Sequence, residues 1–248
     1  MSSTNKVILV TGSNTGIGYD LVHLLAAKGH TVYLASRKEA GGTEAVAKIK
    51  KEKNLDVKFV QLDVTDPASV AAAAAKIEKD EGRLNVLVNN AGISEMHLLT
   101  KVSETSIASI RATFETNVVG LIQTTTTFLP LLRASHTPDV PSVVVNVSSD
   151  MASNTFMASP KGFLHQAVAY NSSKAAANSY TIALAHELKD EGIKVNSVTP
   201  GFTTTKINGF APGGKTPEQG AAIIAEWALL DKDGKTGQFA YDGGDWPW

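Results

Sequence analysis

The chain has 248 residues, 43% of them hydrophobic and 19% charged, which suits a packed α/β protein and excludes a disordered or fibrous one. With 23 Lys and Arg against 24 Asp and Glu, the net charge of -1 gives no electrostatic basis for binding nucleic acid or an anionic membrane surface. The chain has no cysteine, which removes disulfides, thiolate catalysis and Cys-based metal sites.

Short apolar runs alternate with helix-patterned stretches. Val7 to Val10 is a continuous apolar run, the mark of a strand buried on both faces. A helix is predicted from Gly16 to Lys28, a strand from Thr31 to Ala35, a helix from Gly42 to Lys53 and a strand from Val57 to Leu62. Asp66-Pro67 opens the next helix, with Asp as cap and Pro at its first position, and it runs to about Glu81. Val86 to Val88 is a strand, Ser103 to Leu132 is helical in two pieces, and Val143 to Val147 is a strand. A long helix covers Ala169 to Asp190, a strand Val195 to Val198, a last helix Thr216 to Leu230, and a short strand Gln238 to Tyr241. Such alternation needs right-handed crossovers and gives a parallel sheet with helices on both faces. No composition break divides residues 1–248, so a single α/β domain with a doubly wound, seven-stranded parallel sheet is expected. The irregular stretches Met151–Val168 and Phe202–Lys215 each follow a strand, where ligands bind in open α/β sheets. No apolar run reaches the ~18 residues of a membrane span and no signal-peptide pattern opens the chain, so a cytoplasmic protein is expected. The six His show no ligand spacing, and no metal site is expected.

Thr11-Gly12-Ser13-Asn14-Thr15-Gly16-Ile17-Gly18 joins the first strand to the first helix. Gly12 permits a tight turn, Gly16 lets backbone approach a pyrophosphate, and Gly18 allows close helix–strand packing. The helix N-terminus offers free N–H groups to phosphate. With its Gly-x-x-x-Gly-x-Gly spacing, the turn resembles the start of the short-chain dehydrogenase/reductase family, a Rossmann-type fold. That resemblance places Asn14, Thr15 and Ile17 at the cofactor with the three glycines. An NAD site has an acid at the end of the second strand, but here the run is Ser36-Arg37-Lys38. Arg37 can grip a ribose 2′-phosphate bidentately and Ser36 can donate a hydroxyl, which points to NADP(H).

Further motifs follow in family order. Asp63 can accept from an adenine amino group while Val64 packs on the ring, and the pair stands at the family's position. Asn89-Asn90-Ala91-Gly92 matches a family motif that implies cofactor contact by Asn89, Ala91 and Gly92. Tyr170 and Lys174 lie four apart, on one helix face. Ser148-Ser149 closes a strand, and the resemblance makes Ser149 the catalytic member. It also gives Asn117 a water-holding role in the proton path. Pro200-Gly201 and then Thr203 and Thr205 match the nicotinamide-contacting segment. Hydride reduction of a carbonyl creates an alkoxide that needs a proton. A Tyr beside an ammonium can give it, the ammonium lowering the phenol pKa, and a Ser hydroxyl can stabilise the developing charge.

Segments such as Phe59-Val60-Gln61-Leu62-Asp63 and Thr236-Gly237-Gln238-Phe239 resemble the branch of monomeric NADPH-dependent carbonyl reductases. In that branch the residues matching Met151 and Phe202 line the substrate pocket. A second Arg of the branch is Gly41 here. The segment between Ser149 and Tyr170 is much shorter than in the mammalian members, which favours a homodimer over the branch's monomer. The expected function is NADPH-dependent reduction of a small-molecule apolar ketone or aldehyde. Two alternatives stand beside it, an NADP-linked alcohol dehydrogenase working oxidatively and a non-catalytic dinucleotide sensor.

Overall fold

The computed structural model describes residues 5–137, 139–242 and 244–248. Its strands are β1 (Val7–Val10), β2 (Thr31–Ser36), β3 (Lys58–Gln61), β4 (Val86–Asn89), β5 (Val143–Val147), β6 (Lys194–Val198), β7 (Phe239–Tyr241) and β8 (Gly244–Asp245). They form one sheet in the order β3-β2-β1-β4-β5-β6-β7-β8, parallel except for the antiparallel pair β7–β8. The two-residue β8 makes eight strands where seven were expected; Gly244-Asp245 carries no apolar signal that a sequence pattern could detect.

Alternation along β1 explains the two covered faces. Val7 and Leu9 join one apolar cluster, with Phe128 and Leu184. Ile8 and Val10 join the other, with Leu21, Ile49 and Ile224. The second face carries α1 (Gly16–Ala27), α2 (Glu39–Lys53) and α8 (Pro217–Ala228); the first carries α3 (Pro67–Glu81), α5 (Gly120–Ser135) and α7 (Val168–Leu188). Before α5 comes α4 (Ile107–Phe114), and the short α6 (Asn154–Met157) lies within the first irregular stretch.

Local chemistry fixes the helix starts. Asp66 accepts from the Ala68 N–H at 2.9 Å with Pro67 at the first turn. At α8, Thr216 and Gln219 cap each other reciprocally, at 3.2 and 2.9 Å. The helix α2 starts at Glu39, three residues before the expected Gly42. Gly42 sits inside it because a Cβ there would lie 2.0 Å from the Phe59 ring. The predicted helix over 103–132 divides into α4 and α5 around a π turn, Glu115–Val119. Among the described residues no helix is long and apolar enough to cross a membrane.

Strand order reverses at β1, between β2 and β4. Ligands of open α/β sheets bind outside the carboxyl ends of the strands at such a switch point.

Candidate active site

The glycine turn leaves β1 at this switch point. Gly12 has φ +59°, and a Cβ on it would lie 2.8 Å from Ala91 Cα, so the turn is pressed against the end of β4. A Cβ on Gly18 would meet Asn90 Nδ2 at 2.5 Å. Gly16, at φ +60°, faces open space bounded only by Thr205 Cγ2 at 3.8 Å. Ser13 ties the turn to β2, donating from Oγ to Val10 O and accepting from Ala35 N–H. Asn14, Thr15 and Ile17 lie in this loop and first turn, and no side chain caps the α1 N-terminus. The result is a concave backbone surface with free N–H groups, which fits a pyrophosphate.

At the end of β2, Arg37 is exposed and makes no ion pair among the described residues. Ser36 is placed differently from expectation. It is buried, and its hydroxyl donates to Lys38 O at 2.7 Å, so its one proton is held within the loop. Asp63 accepts from the Thr65 N–H and hydroxyl through Oδ1, at 3.0 and 2.7 Å. Its Oδ2 carries no hydrogen bond among the described residues. Val64 is buried against Gly120 of α5.

Asn89, the last residue of β4, and Asn90, just past it, have different partners. Asn89 is buried, and its Nδ2 donates to Thr125 Oγ1 at 2.8 Å and Asn146 Oδ1 at 2.9 Å. Its side chain thus belongs to the interior. Asn90 is the neighbour of the glycine turn, donating to Thr11 O and Gly12 O at 2.9 and 3.0 Å. The interior chain continues from Asn146 to Thr181, Ser197, Asn178 and Ser148. It also takes in Thr125 of α5. Thr124 and Thr125 bond back to the carbonyls of Gly120 and Leu121, and Thr125 offers its oxygen to Asn89.

Beside this framework stand the four residues singled out for chemistry. Asn117 lies in the π turn, fully buried. It accepts from Ile93 N–H and donates to Ile93 O, both at 2.9 Å, and donates to Ser173 Oγ at 3.0 Å. An extra residue in one helical turn is a frequent feature of functional sites. A Cβ on Gly92 would approach Asn117 Oδ1 to 3.2 Å and Lys174 Nζ to 3.5 Å, so these groups share one recess with the end of β4. Lys174 Nζ donates to Val147 O at 2.7 Å and lies 5.9 Å from the Tyr170 ring centroid. Ser149, just past β5, accepts from the Met151 N–H at 3.3 Å.

Burial governs the charge states. It pushes the Tyr170 phenol up to about 12; the nearby Ser149 hydroxyl, which donates to Asp150 Oδ1 at 3.1 Å, opposes the rise and the Asp150 charge adds to it. Burial likewise brings the Lys174 ammonium down to about 8. Desolvation disfavours the charged form of each group. At neutral pH the phenol holds its proton and the amine is largely charged.

The rim comes from the two irregular stretches. Met151 is buried with Tyr170 and Ala167, and Met96 and Met157 pack on them. Phe202 is 46% exposed at the start of the second stretch. Gly201, after Pro200, has φ +72° and lies against the Tyr241 ring. Thr203 O accepts from Asn208 Nδ2, and Thr205 N–H donates to Asn208 Oδ1. Ser94 Oγ donates to Ile207 O, joining the loop after β4 to this stretch.

This parallel sheet, glycine cradle and Ser–Tyr–Lys–Asn group have counterparts elsewhere. The sequence profile described as short chain dehydrogenase matches residues 6–213. The chain belongs to that family, whose members bind a nicotinamide dinucleotide, and it is similar to carbonyl reductases within it. It is 30% identical over 306 aligned positions to (+)-neomenthol dehydrogenase of Capsicum annuum, covering 97% of this chain and 96% of the relative. Salutaridine reductase of Papaver somniferum superposes with a TM-score of 0.79 at 28% identity, over 96% of this chain and all of the other. NADPH-bound carbonyl reductase from chicken fatty liver superposes at 0.84 with 26% identity, over 98% and 99% of the two chains.

Proposed function

We propose that the chain reduces an uncharged, apolar ketone or aldehyde to the alcohol with NADPH. The observation that carries this reading is the gathering of Ser149, Tyr170, Lys174 and Asn117 at the end of β5, beside the glycine cradle. When bound, the nicotinamide supplies the hydride. Gly12, Asn14, Thr15, Gly16, Ile17 and Gly18 hold the pyrophosphate, and Asp63 and Val64 take the adenine. The backbone of Asn89, Ala91, Gly92, Pro200, Gly201 and Thr203 and the Thr205 side chain flank the nicotinamide end. The Ser149 hydroxyl donates to the carbonyl oxygen. The Tyr170 phenol, protonated at neutral pH, delivers its proton to the developing alkoxide. Lys174 holds positive charge beside the phenolate so formed, and Asn117 fixes the loop at Ile93 against which that recess is built.

The same residues would serve the oxidative reading, and the ratio of reduced to oxidised cofactor decides the direction. Arg37 at the end of β2, with no acid beside it in sequence, supports NADPH over NADH, and Gly41 leaves that grip to Arg37 and Lys38. The relative from chicken fatty liver was solved with NADPH bound. For substrate polarity the rim is informative. The stretches 151–168 and 202–215 contain Met151, Phe156, Met157, Phe163, Phe202 and Phe210 and no Arg to clamp a carboxylate. NADPH oxidation against aldehydes, α-diketones, bulky ketones and 2-oxo acids tests the reading. Turnover of neutral bulky carbonyls above 2-oxo acids is expected. A marked preference for 2-oxo acids, or no turnover of any carbonyl, refutes it.

A further inference from the structure

The two stretches that rim the crevice are distant in sequence, yet the end of the chain reaches both. Trp248 O accepts from Ser153 Oγ at 3.2 Å and from Thr155 N–H at 3.1 Å, at the start of α6. The Trp246 ring lies 5.2 Å from Phe156, which in turn meets Phe163 edge-on at 6.0 Å. On its other side Trp246 lies 5.2 Å from Tyr241. Tyr241 underlies the second stretch: its ring blocks the Cβ position of Gly201, and Lys215 Nζ sits 4.6 Å over it. Trp248 is seated on Phe239 of β7, 5.4 Å between centroids, so the segment is anchored to the sheet.

The stretch held in this way is the one that presents Met151 and Met157 to Tyr170. Two non-glycine residues of the rim, Leu164 and Phe210, have left-handed backbone, φ 50° and 58°. Such conformations persist where the surroundings enforce them. Trp246 Nε1 is buried without a partner among the described residues, a cost that plain surface packing does not call for.

We propose that Trp246-Pro247-Trp248 is an aromatic strap that ties the two rim stretches together and sets the width of the substrate pocket, selecting bulky apolar carbonyls. The selectivity rests on the proposed reduction at Tyr170; the tie between the stretches does not. Trp246 is a positioning residue, acting through Phe156 on the Met151–Met157 wall.

The test uses the full chain with Trp246→Ala and Trp246→Phe. Steady-state kinetics are measured with a bicyclic ketone and a short-chain aldehyde, together with NADPH affinity and amide hydrogen exchange. Trp246→Ala is expected to raise KM for the bulky ketone at least about tenfold, since small misplacements of a pocket wall have effects of this size or larger. The aldehyde kinetics and NADPH affinity stay within about twofold of wild type by the same argument. Exchange accelerates in 151–164 but not in the α7 core, and Trp246→Phe restores both readouts. If Trp246→Ala does not fold, Ser153→Ala removes one tether to Trp248 and is expected to move the same readouts in the same direction. An unchanged ratio of bulky to small substrate, or unchanged exchange in 151–164, in a folded variant of an active enzyme overturns the strap. A wild-type chain that reduces no carbonyl refutes the reading at Tyr170 and with it the selectivity, while exchange still reports the tie.

Discussion

Burial sets the charge of Lys174 against stability. Its amine is 4% exposed with one hydrogen bond, to Val147 O, and burial lowers its pKa from 10.5 to about 8. That displacement corresponds to about 3 kcal/mol against the charged form. Between pH 8 and 10.5 the unfolded chain binds the proton and the folded one does not, so this residue adds stability as pH rises through that window. Lys174→Met is therefore expected to abolish turnover while stabilising the fold by about 1–2 kcal/mol at pH 7, after loss of the Val147 bond. The gain shrinks to nothing toward pH 10.5. Urea titrations of both proteins at pH 7 and pH 10 check this, and a variant destabilised at pH 7 contradicts it. Arg37 carries a second expectation at this scale. A hydrogen bond to a charged group contributes roughly 1.5–3 kcal/mol, so Arg37→Ala should cut the NADPH-over-NADH ratio of kcat/KM about tenfold or more. An unchanged ratio removes Arg37 from the phosphate site. Ser36 adds less than its sequence position suggested, because its proton is already donated to Lys38 O.

Among the elements, α5 shows what sequence reading reached and what it did not. The apolar runs located all the parallel strands, and Asp66-Pro67 and Thr216-Pro217 marked two helix starts, because these signals are local. Thr125 had no local meaning. Its part is set by β4, whose Asn89 it meets across 36 residues of sequence. The same holds for the different partners of Asn89 and Asn90, since Asn89 turns inward to Thr125 and Asn146. The π turn at Asn117 was equally invisible, being fixed by bonds to Ile93. Thr125→Val is expected to cost about 1–2 kcal/mol by leaving one Asn89 N–H buried and unpaired. Chemical denaturation measures this, and an unchanged midpoint would show that the interior chain contributes no net stability.

At the scale of the molecule, α4, the π turn and α7 pack against one another and each exposes an apolar side chain. Ile107, Val119 and Ile182 are 61%, 45% and 45% exposed. Exposed apolar side chains on neighbouring elements favour association. A dimer through α4, α5 and α7 is therefore expected, and Ile182→Glu should dissociate it. Light scattering that gives a single-chain mass across micromolar concentrations contradicts this. Family and crevice were legible because the glycine turn, the Asn-Asn-Ala-Gly run and the Tyr-x-x-x-Lys pair each lie within a few consecutive residues. The aromatic strap was not, since Trp246 and Phe156 meet only through the folded sheet.

On the proposed reading, Tyr170 gives the proton in NADPH-dependent carbonyl reduction. Single-site replacement Tyr170→Phe, with kcat measured on the best neutral carbonyl and NADPH affinity measured by fluorescence, tests it most directly. General-acid groups contribute about 10²–10⁴-fold. Turnover should fall at least about a hundredfold while NADPH affinity stays within about twofold, because the phenyl ring still fills its place against Met151. A Tyr170→Phe enzyme that keeps half its turnover would contradict the assignment.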